Sequence, residues 1–78
     1  MRSTLKMPKV GDAADAAVVV SIAVASGVRV ALGDTLYTVE TDKATVDVPS
    51  PAAGLVQEIL MRVGDELMIG APTLVLEV

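Results

Sequence analysis

Glycine and proline interrupt this 78-residue chain so often that no long helix or strand fits between them. They occupy ten positions: Pro8, Gly11, Gly27, Gly33, Pro49, Pro51, Gly54, Gly64, Gly70 and Pro72. The stretches between them are rich in Val, Ile, Leu and Thr, which favour strands. Short strands separated by regular turn signals are typical of a β sandwich or barrel, so we expect an all-β fold.

These stretches predict eight strands: Arg2–Met7, Ala17–Val24, Arg29–Val30, Leu36–Thr41, Ala44–Val48, Gly54–Ile59, Glu66–Leu67 and Thr73–Val78. Asp12–Ala17 is the only segment with a helix-favouring composition. Because it is too short to form a stable helix alone, we expect a surface loop there.

The composition narrows how such a fold can be stabilised. The chain has no cysteine, no histidine and a single aromatic residue, Tyr37. Disulfides are therefore excluded, a structural zinc site would lack its usual ligands, and the core must be aliphatic. The length fits one small domain that covers residues 1–78.

Charge and hydropathy argue against nucleic-acid binding and against a membrane-spanning helix. The formal net charge is −4, and the six basic residues are scattered rather than clustered beside aromatic residues, so we expect no nucleic-acid binding. The apolar stretch Ala13–Val30 contains Asp15 and Arg29 and is rich in β-branched residues, so we expect no membrane-spanning helix. We see no signal peptide and expect a soluble intracellular protein, whose acidity could help docking onto basic partner surfaces.

The chain also repeats itself. Gly27–Gly33 and Gly64–Gly70 each have glycines six residues apart, carry apolar residues at matched positions, and lie 37 residues apart. The match continues, with one extra residue, into the strands that follow. Two copies of one supersecondary unit predict a pseudo-twofold structure in which the halves pack on each other.

The most informative segment, Leu36–Pro49, consists of two strand-like runs around Asp42-Lys43. With those two residues at the centre of a turn, apolar and polar side chains separate onto opposite faces, as a half-buried hairpin requires. The predicted pairs are Thr41–Ala44, Glu40–Thr45, Val39–Val46, Thr38–Asp47 and Tyr37–Val48.

Leu36 breaks the alternation, which indicates a bulge or the start of the strand. Asp42-Lys43 suits a type I turn, so we expect Lys43 at an exposed apex with its amine in water. Taken alone, an exposed lysine is commonplace and indicates no function.

The run Glu40-Thr41-Asp42-Lys43-Ala44 resembles the modification motif of lipoyl domains in 2-oxo acid dehydrogenase complexes. The resemblance covers nearly the whole chain. The other segments that carry it are Leu5-Lys6-Met7-Pro8-Lys9-Val10-Gly11, Val48-Pro49-Ser50-Pro51-Ala52-Ala53-Gly54, Val63-Gly64-Asp65 and Gly70-Ala71-Pro72-Thr73-Leu74.

This resemblance implies a fold and a site. The fold would be a flattened barrel-sandwich of two four-stranded antiparallel sheets with pseudo-twofold symmetry, the termini at one end and the modified lysine at the other. Lys43 would be the attachment site of lipoic acid. The attaching enzyme would recognise its surroundings, namely Gly27, Glu40, Asp42, Ala44 and Gly54. For the two glycines we also expect turn geometry with positive φ.

The resemblance also implies a function. The Lys43-linked lipoamide arm would shuttle acyl groups and electrons in a complex, with the pyruvate dehydrogenase type favoured. Its partners would be a 2-oxo acid decarboxylase, the acyltransferase core, a dihydrolipoamide dehydrogenase and the lipoate-attaching enzyme. The isolated domain would be monomeric and would catalyse nothing itself, as part of an acyltransferase chain in the bacterial cytoplasm or, less favoured, the mitochondrial matrix.

The chain departs from the family pattern at two places, which leaves its partner specificity open. Val28 stands where family members commonly have aspartate, and the loop Gly11–Ala17 is rich in alanine.

Three other functions compete with a lipoyl carrier. A biotin-carrier domain shares the fold, but that family usually has methionine on both sides of its lysine, where this chain has Asp42 and Ala44. An unmodified adaptor domain of an efflux-pump fusion protein would usually insert a helical hairpin in place of Asp42-Lys43. A purely structural domain would leave Lys43 unmodified.

Overall fold

Eight strands make up the computed structural model, which describes residues 1–8, 16–42 and 44–78. They are β1 (Arg2–Lys6), β2 (Ala16–Ile22), β3 (Arg29–Val30), β4 (Thr35–Glu40), β5 (Thr45–Pro49), β6 (Gly54–Ile59), β7 (Glu66–Met68) and β8 (Pro72–Glu77). These described residues contain no helix that could span a membrane.

The strands form two four-stranded sheets, and every pairing is antiparallel. The first, which we call the terminal sheet, has the order β1-β8-β6-β3 and contains both ends of the chain. The second, which we call the tip sheet, has the order β5-β4-β2-β7 and contains the hairpin around Asp42-Lys43. The predicted all-β barrel-sandwich of two four-stranded sheets is confirmed.

All eight predicted strands are present, each within two residues of its predicted limits. The loop expected at Asp12–Ala17 is wrong at its end, because Ala16 and Ala17 begin β2. They pair with Met68 and Leu67 of β7, and Ala17 is buried, so a distant strand recruits residues with weak strand preference. Residues 12–15 lie outside the described part of the chain.

The core lies between the two sheets and is aliphatic apart from Tyr37, as the composition predicts. Its buried apolar residues are Met7, Ala17, Val19, Val30, Leu36, Tyr37, Val39, Val48, Val56, Met61, Leu74 and Leu76. The buried Tyr37 hydroxyl donates to Met7 Sδ at 3.9 Å, and Met7 directly follows β1 of the terminal sheet. The single aromatic ring thus joins the two sheets.

The internal repeat is confirmed by backbone geometry, but the extra residue expected in the strands that follow is wrong: Tyr37 and Leu74 occupy equivalent positions, opposite Val48 and Leu5, and are 37 residues apart. Gly27 and Gly64 have φ of 91° and 97°, while Gly33 and Gly70 both have φ of 88°. These four glycines occupy the left-handed region, where a Cβ is disfavoured, at equivalent turns of the two halves.

Backbone hydrogen bonds follow the same symmetry. The Gly27 N–H donates to the Val56 carbonyl at 2.8 Å, and the Gly64 N–H donates to the Val19 carbonyl at 2.7 Å. Each turn is therefore anchored on a strand of the other half. Neither repeat can complete its hydrogen bonds alone, which explains why the two halves form one domain.

The pseudo-twofold axis relates the β4–β5 hairpin to the place where the first and last residues meet. The Thr41 N–H donates to the Ala44 carbonyl at 2.8 Å, and the Val78 N–H donates to the Met1 carbonyl at 2.9 Å. The two halves thus end in similar pairs of residues. A turn joins Thr41 to Ala44, whereas Met1 and Val78 are the two ends of the chain.

Candidate functional site

The β4–β5 hairpin has the register that the sequence predicts. Tyr37 pairs with Val48, Thr38 with Asp47, Val39 with Val46, and Glu40 with Thr45. Beyond the strands, the Thr41 N–H and hydroxyl both donate to the Ala44 carbonyl, at 2.8 and 3.2 Å. The chain therefore closes immediately before Asp42 and immediately after residue 43.

Side chains separate by face along this hairpin. Tyr37, Val39 and Val48 are buried, whereas Glu40 and Asp47 are exposed. On the outward face, the Thr38 hydroxyl donates to Asp47 Oδ1 at 2.9 Å. A slip of one residue would bury these polar groups and break this bond, so the register of the hairpin is well determined.

The base of the hairpin contains the predicted bulge. The pairing shifts between Thr35 and Tyr37, so that Leu36 and Tyr37 are both buried, each at 1% exposure. The extra residue lets two successive side chains enter the core. This anchors β4 at the end away from the turn.

The two described residues of the tip are exposed. Asp42 and Ala44 are solvent-exposed, and Lys43 lies outside the described residues. Next to the tip, Val39 is fully buried and pairs with Val19 of β2, so the turn projects from a fixed central strand. Within the described part of the chain, no group of His, Cys, Asp or Glu could hold a metal ion.

The structure does not bring Gly27 and Gly54 to the tip, because Gly54 begins β6 of the terminal sheet and Gly27 is hydrogen-bonded to Val56 of the same strand. Gly27 has the positive φ that was expected. For Gly54 that expectation is wrong, since its φ is not in the left-handed region. Its backbone instead packs against β8: a Cβ there would lie 2.6 Å from the Glu77 carbonyl oxygen. Glycine is required at this position by close packing.

One feature of the tip sheet was not predicted: β2 has an exposed apolar face. Val18 and Val20 are 37% and 39% exposed, while Val19 between them is fully buried. The run Ala16–Val20 is apolar at every position, so its sequence contains no alternation that would indicate which residues face solvent.

Comparisons with known proteins agree with this geometry. The family model of biotin/lipoyl domains, described as biotin-requiring enzyme, matches residues 3–76. The acetyltransferase components of the pyruvate dehydrogenase complexes of Cupriavidus necator and Haemophilus influenzae are 42% and 39% identical over 94% and 99% of the chain. The succinyltransferase component of the 2-oxoglutarate dehydrogenase complex of Bartonella vinsonii is 37% identical over 91%. The chain spans 13%, 13% and 17% of these three relatives.

Two solved structures have the same fold. The lipoyl domain of the 2-oxoglutarate dehydrogenase complex of Azotobacter vinelandii superimposes with a TM-score of 0.70 at 25% identity, and the match covers 91% of this chain and 92% of that one. A single-chain, multi-domain long-chain acyl-CoA carboxylase gives a TM-score of 0.75 at 23% identity, over 95% of this chain and 7% of that protein.

Proposed function

This chain belongs to the biotin/lipoyl domain family, and we propose that residues 1–78 form a lipoyl-carrier domain with lipoic acid attached to Lys43. The observation that carries the proposal is the hairpin closed by Thr41 and Ala44, which leaves only Asp42 and Lys43 at the turn. Such a turn presents a lysine amine to an attaching enzyme while the core holds the flanking strands.

The relatives support a role in an acyltransferase chain of a pyruvate dehydrogenase complex, since most of them are acetyltransferase components of such complexes. The partners would then be the 2-oxo acid decarboxylase, the acyltransferase core and the dihydrolipoamide dehydrogenase. The named relatives are bacterial proteins, which favours the bacterial cytoplasm as the location. The domain itself would be a carrier without catalytic activity.

Lipoic acid would supply the reactive dithiolane, which accepts acyl groups and electrons. The chain would position the lipoyl arm. Amide formation removes the positive charge of Lys43 and lengthens its side chain into a flexible arm. Because the arm stays tethered to a folded domain, its local concentration at each partner's active site is raised without new contacts.

The predicted recognition residues divide into two groups by position. Glu40 lies on the outward face of the tip sheet, and Asp42 and Ala44 flank the lysine, so all three are accessible to an attaching enzyme. Gly27 and Gly54 pack against β6 and β8. We therefore assign these glycines an indirect role, in which they maintain the shape of the domain.

A biotin carrier is the second candidate, because the matching family model is described as biotin-requiring enzyme. The residues around the lysine favour lipoate, since Asp42 and Ala44 replace the flanking methionines usual in biotin carriers.

The test is the intact mass of the domain, with peptide mapping, after incubation with lipoate, ATP and a lipoate ligase. We expect one lipoyl increment, mapped to Lys43 and absent in Lys43→Arg. Lys6→Arg and Lys9→Arg are the matched controls and should be modified as the parent is. An unmodified, folded domain would contradict the proposal, and a biotinyl increment from biotin ligase would favour the second candidate.

A further inference from the structure

Charged residues are distributed unequally between the two sheets. The strands of the tip sheet contain Glu40, Asp47 and Glu66 and no lysine or arginine. The strands of the terminal sheet contain three basic residues and two acidic ones: Arg2, Lys6, Arg29, Glu58 and Glu77. The outward face of the tip sheet is therefore acidic, although the chain as a whole is only mildly so.

An apolar strip runs through the middle of this acidic face. Val18 and Val20 of β2 are 37% and 39% exposed, and Met68 of β7 is 60% exposed. Met68 pairs with Ala16, which lies on the same side of β2 as Val18, so these side chains form one patch. We call Val18, Val20, Met68, Glu40 and Glu66 together the β2 face.

Strand pairing places Val18 between two carboxylates. It lies directly opposite Glu40 of β4 on one side and directly opposite Glu66 of β7 on the other. Directly opposed residues have Cβ atoms about 5 Å apart. Within the described part of the chain, the ion pairs join Glu77 to Met1 and Arg2, and none involves Glu40 or Glu66.

This arrangement does little for the stability of the domain. Exposed valines leave apolar surface in water, and two carboxylates across one strand repel each other. The same arrangement would complement a protein surface with an apolar side chain at its centre and Arg or Lys around it. A second copy of this chain would not fit, since an isologous contact would bring like charges together.

We propose that the β2 face is the docking surface for the 2-oxo acid decarboxylase, the enzyme that acylates the lipoyl arm. The decarboxylase would contact it through a patch with an apolar centre and basic surroundings. This inference rests on the proposed function. Glu40 belongs to the face and precedes Lys43 by three residues, so a partner seated there would cover the base of the arm. Lipoylation makes the tip one charge more negative, which favours a basic partner for the modified form over the unmodified one.

The test uses the fully lipoylated domain and, as probe, the purified 2-oxo acid decarboxylase component of a bacterial pyruvate dehydrogenase complex. Acylation of the arm is followed by mass, and kcat/KM is measured at low and high salt. Glu66→Lys lies on the β2 face and away from the turn. Its matched control is Glu58→Lys, the same charge change on an exposed residue of the terminal sheet.

We expect Glu66→Lys to lower kcat/KM about tenfold at low salt, with a smaller loss at high salt, because steering charges act mainly on the association rate. Glu58→Lys should change it by less than about twofold. Val18→Thr tests the apolar centre and should raise KM, with Val75→Thr on the terminal sheet as its control. Unchanged circular dichroism and thermal unfolding show that each variant is folded.

Equal effects of Glu66→Lys and Glu58→Lys would overturn the inference, since only total charge would then matter. The inference would also be overturned if Glu66→Lys slowed lipoate attachment by the ligase as much as it slows acylation by the decarboxylase. The β2 face would then serve attachment of lipoate. Failure of the parent domain to accept lipoate concerns the proposed function and is detected beforehand by mass, so the two failures are distinguishable.

Discussion

The Tyr37 hydroxyl of the tip sheet donates to Met7 Sδ at 3.9 Å inside the core. Burial raises the pKa of the Tyr37 phenol above its usual 10.0, and the side chain of Thr73 opposes this in part. The phenol therefore loses its proton more readily in the unfolded chain than in the folded one.

Stability should consequently fall as pH rises above about 10, because the unfolded state then binds fewer protons than the native state. Below that pH the contribution is fully present. Tyr37→Phe should show a weaker decline of the urea midpoint between pH 9 and pH 11. Equal slopes in the two proteins would contradict the assignment.

Thr73→Val tests the effect of the Thr73 hydroxyl on this pKa. Since that hydroxyl lowers the pKa of Tyr37, its loss should raise the pKa further. The chain has one tyrosine, so tyrosinate absorbance reports this group alone. Thr73 also donates to the Leu5 carbonyl at 3.2 Å, so stability should fall by about 1 kcal/mol. A lowered pKa in the variant would contradict this effect of Thr73.

Gly54→Ala should destabilise the fold by about 1–3 kcal/mol, because the new Cβ meets a backbone oxygen that cannot rotate away. Urea unfolding measures the loss. If the glycine acts only through the fold, the folded variant should accept lipoate at the parent rate in dilute buffer. A normal midpoint combined with slow lipoylation would instead indicate direct contact with the attaching enzyme.

Leu76→Ala should cost about 2–5 kcal/mol, since the side chain is fully buried between the sheets. That is a large part of the total expected for 78 residues, about 4–12 kcal/mol. Leu32→Ala is the matched control, because Leu32 is 71% exposed. It should change the free energy of unfolding, measured by urea denaturation, by less than about 0.5 kcal/mol. Similar losses in both variants would be inconsistent with this core.

The pseudo-twofold symmetry predicts that a second tip can be built. Joining Val78 to Met1 through an inserted Asp-Lys, with new ends opened at Leu32, should preserve the fold. The new lysine would have Gly64 sixteen residues before it, Glu77 three before it and Gly11 eleven after it, the same spacings as Lys43 has to Gly27, Glu40 and Gly54. We expect two lipoyl increments by mass. A folded permutant modified only on Lys43 would show that these spacings are insufficient.

Much of the fold was predictable because the relevant patterns are local. The hairpin register followed from the alternation of Tyr37, Val39, Val46 and Val48 with polar neighbours, since only one register puts all four on one face. The repeat was visible because left-handed turns need glycine, and these glycines recur at a fixed spacing. The aliphatic core followed from composition alone.

The candidate site was predictable only in part. The exposed face of β2 was missed because Val18, Val19 and Val20 are chemically identical in sequence. Which of them is buried depends on β4 and β7, which lie far along the chain. The role of Gly54 was misread for a similar reason: the carbonyl that excludes a Cβ belongs to Glu77, at the other end of the chain.

The sequence by itself therefore determined the strands, the turns and the hairpin around Lys43, because these depend on neighbouring residues and on backbone conformation. Only the tertiary structure decided which strands lie side by side. That arrangement also produced the apolar strip between carboxylates on the tip sheet and the tight contact at Gly54. Those features arise where residues distant in sequence share the burial of one core, and no local pattern encodes such a contact.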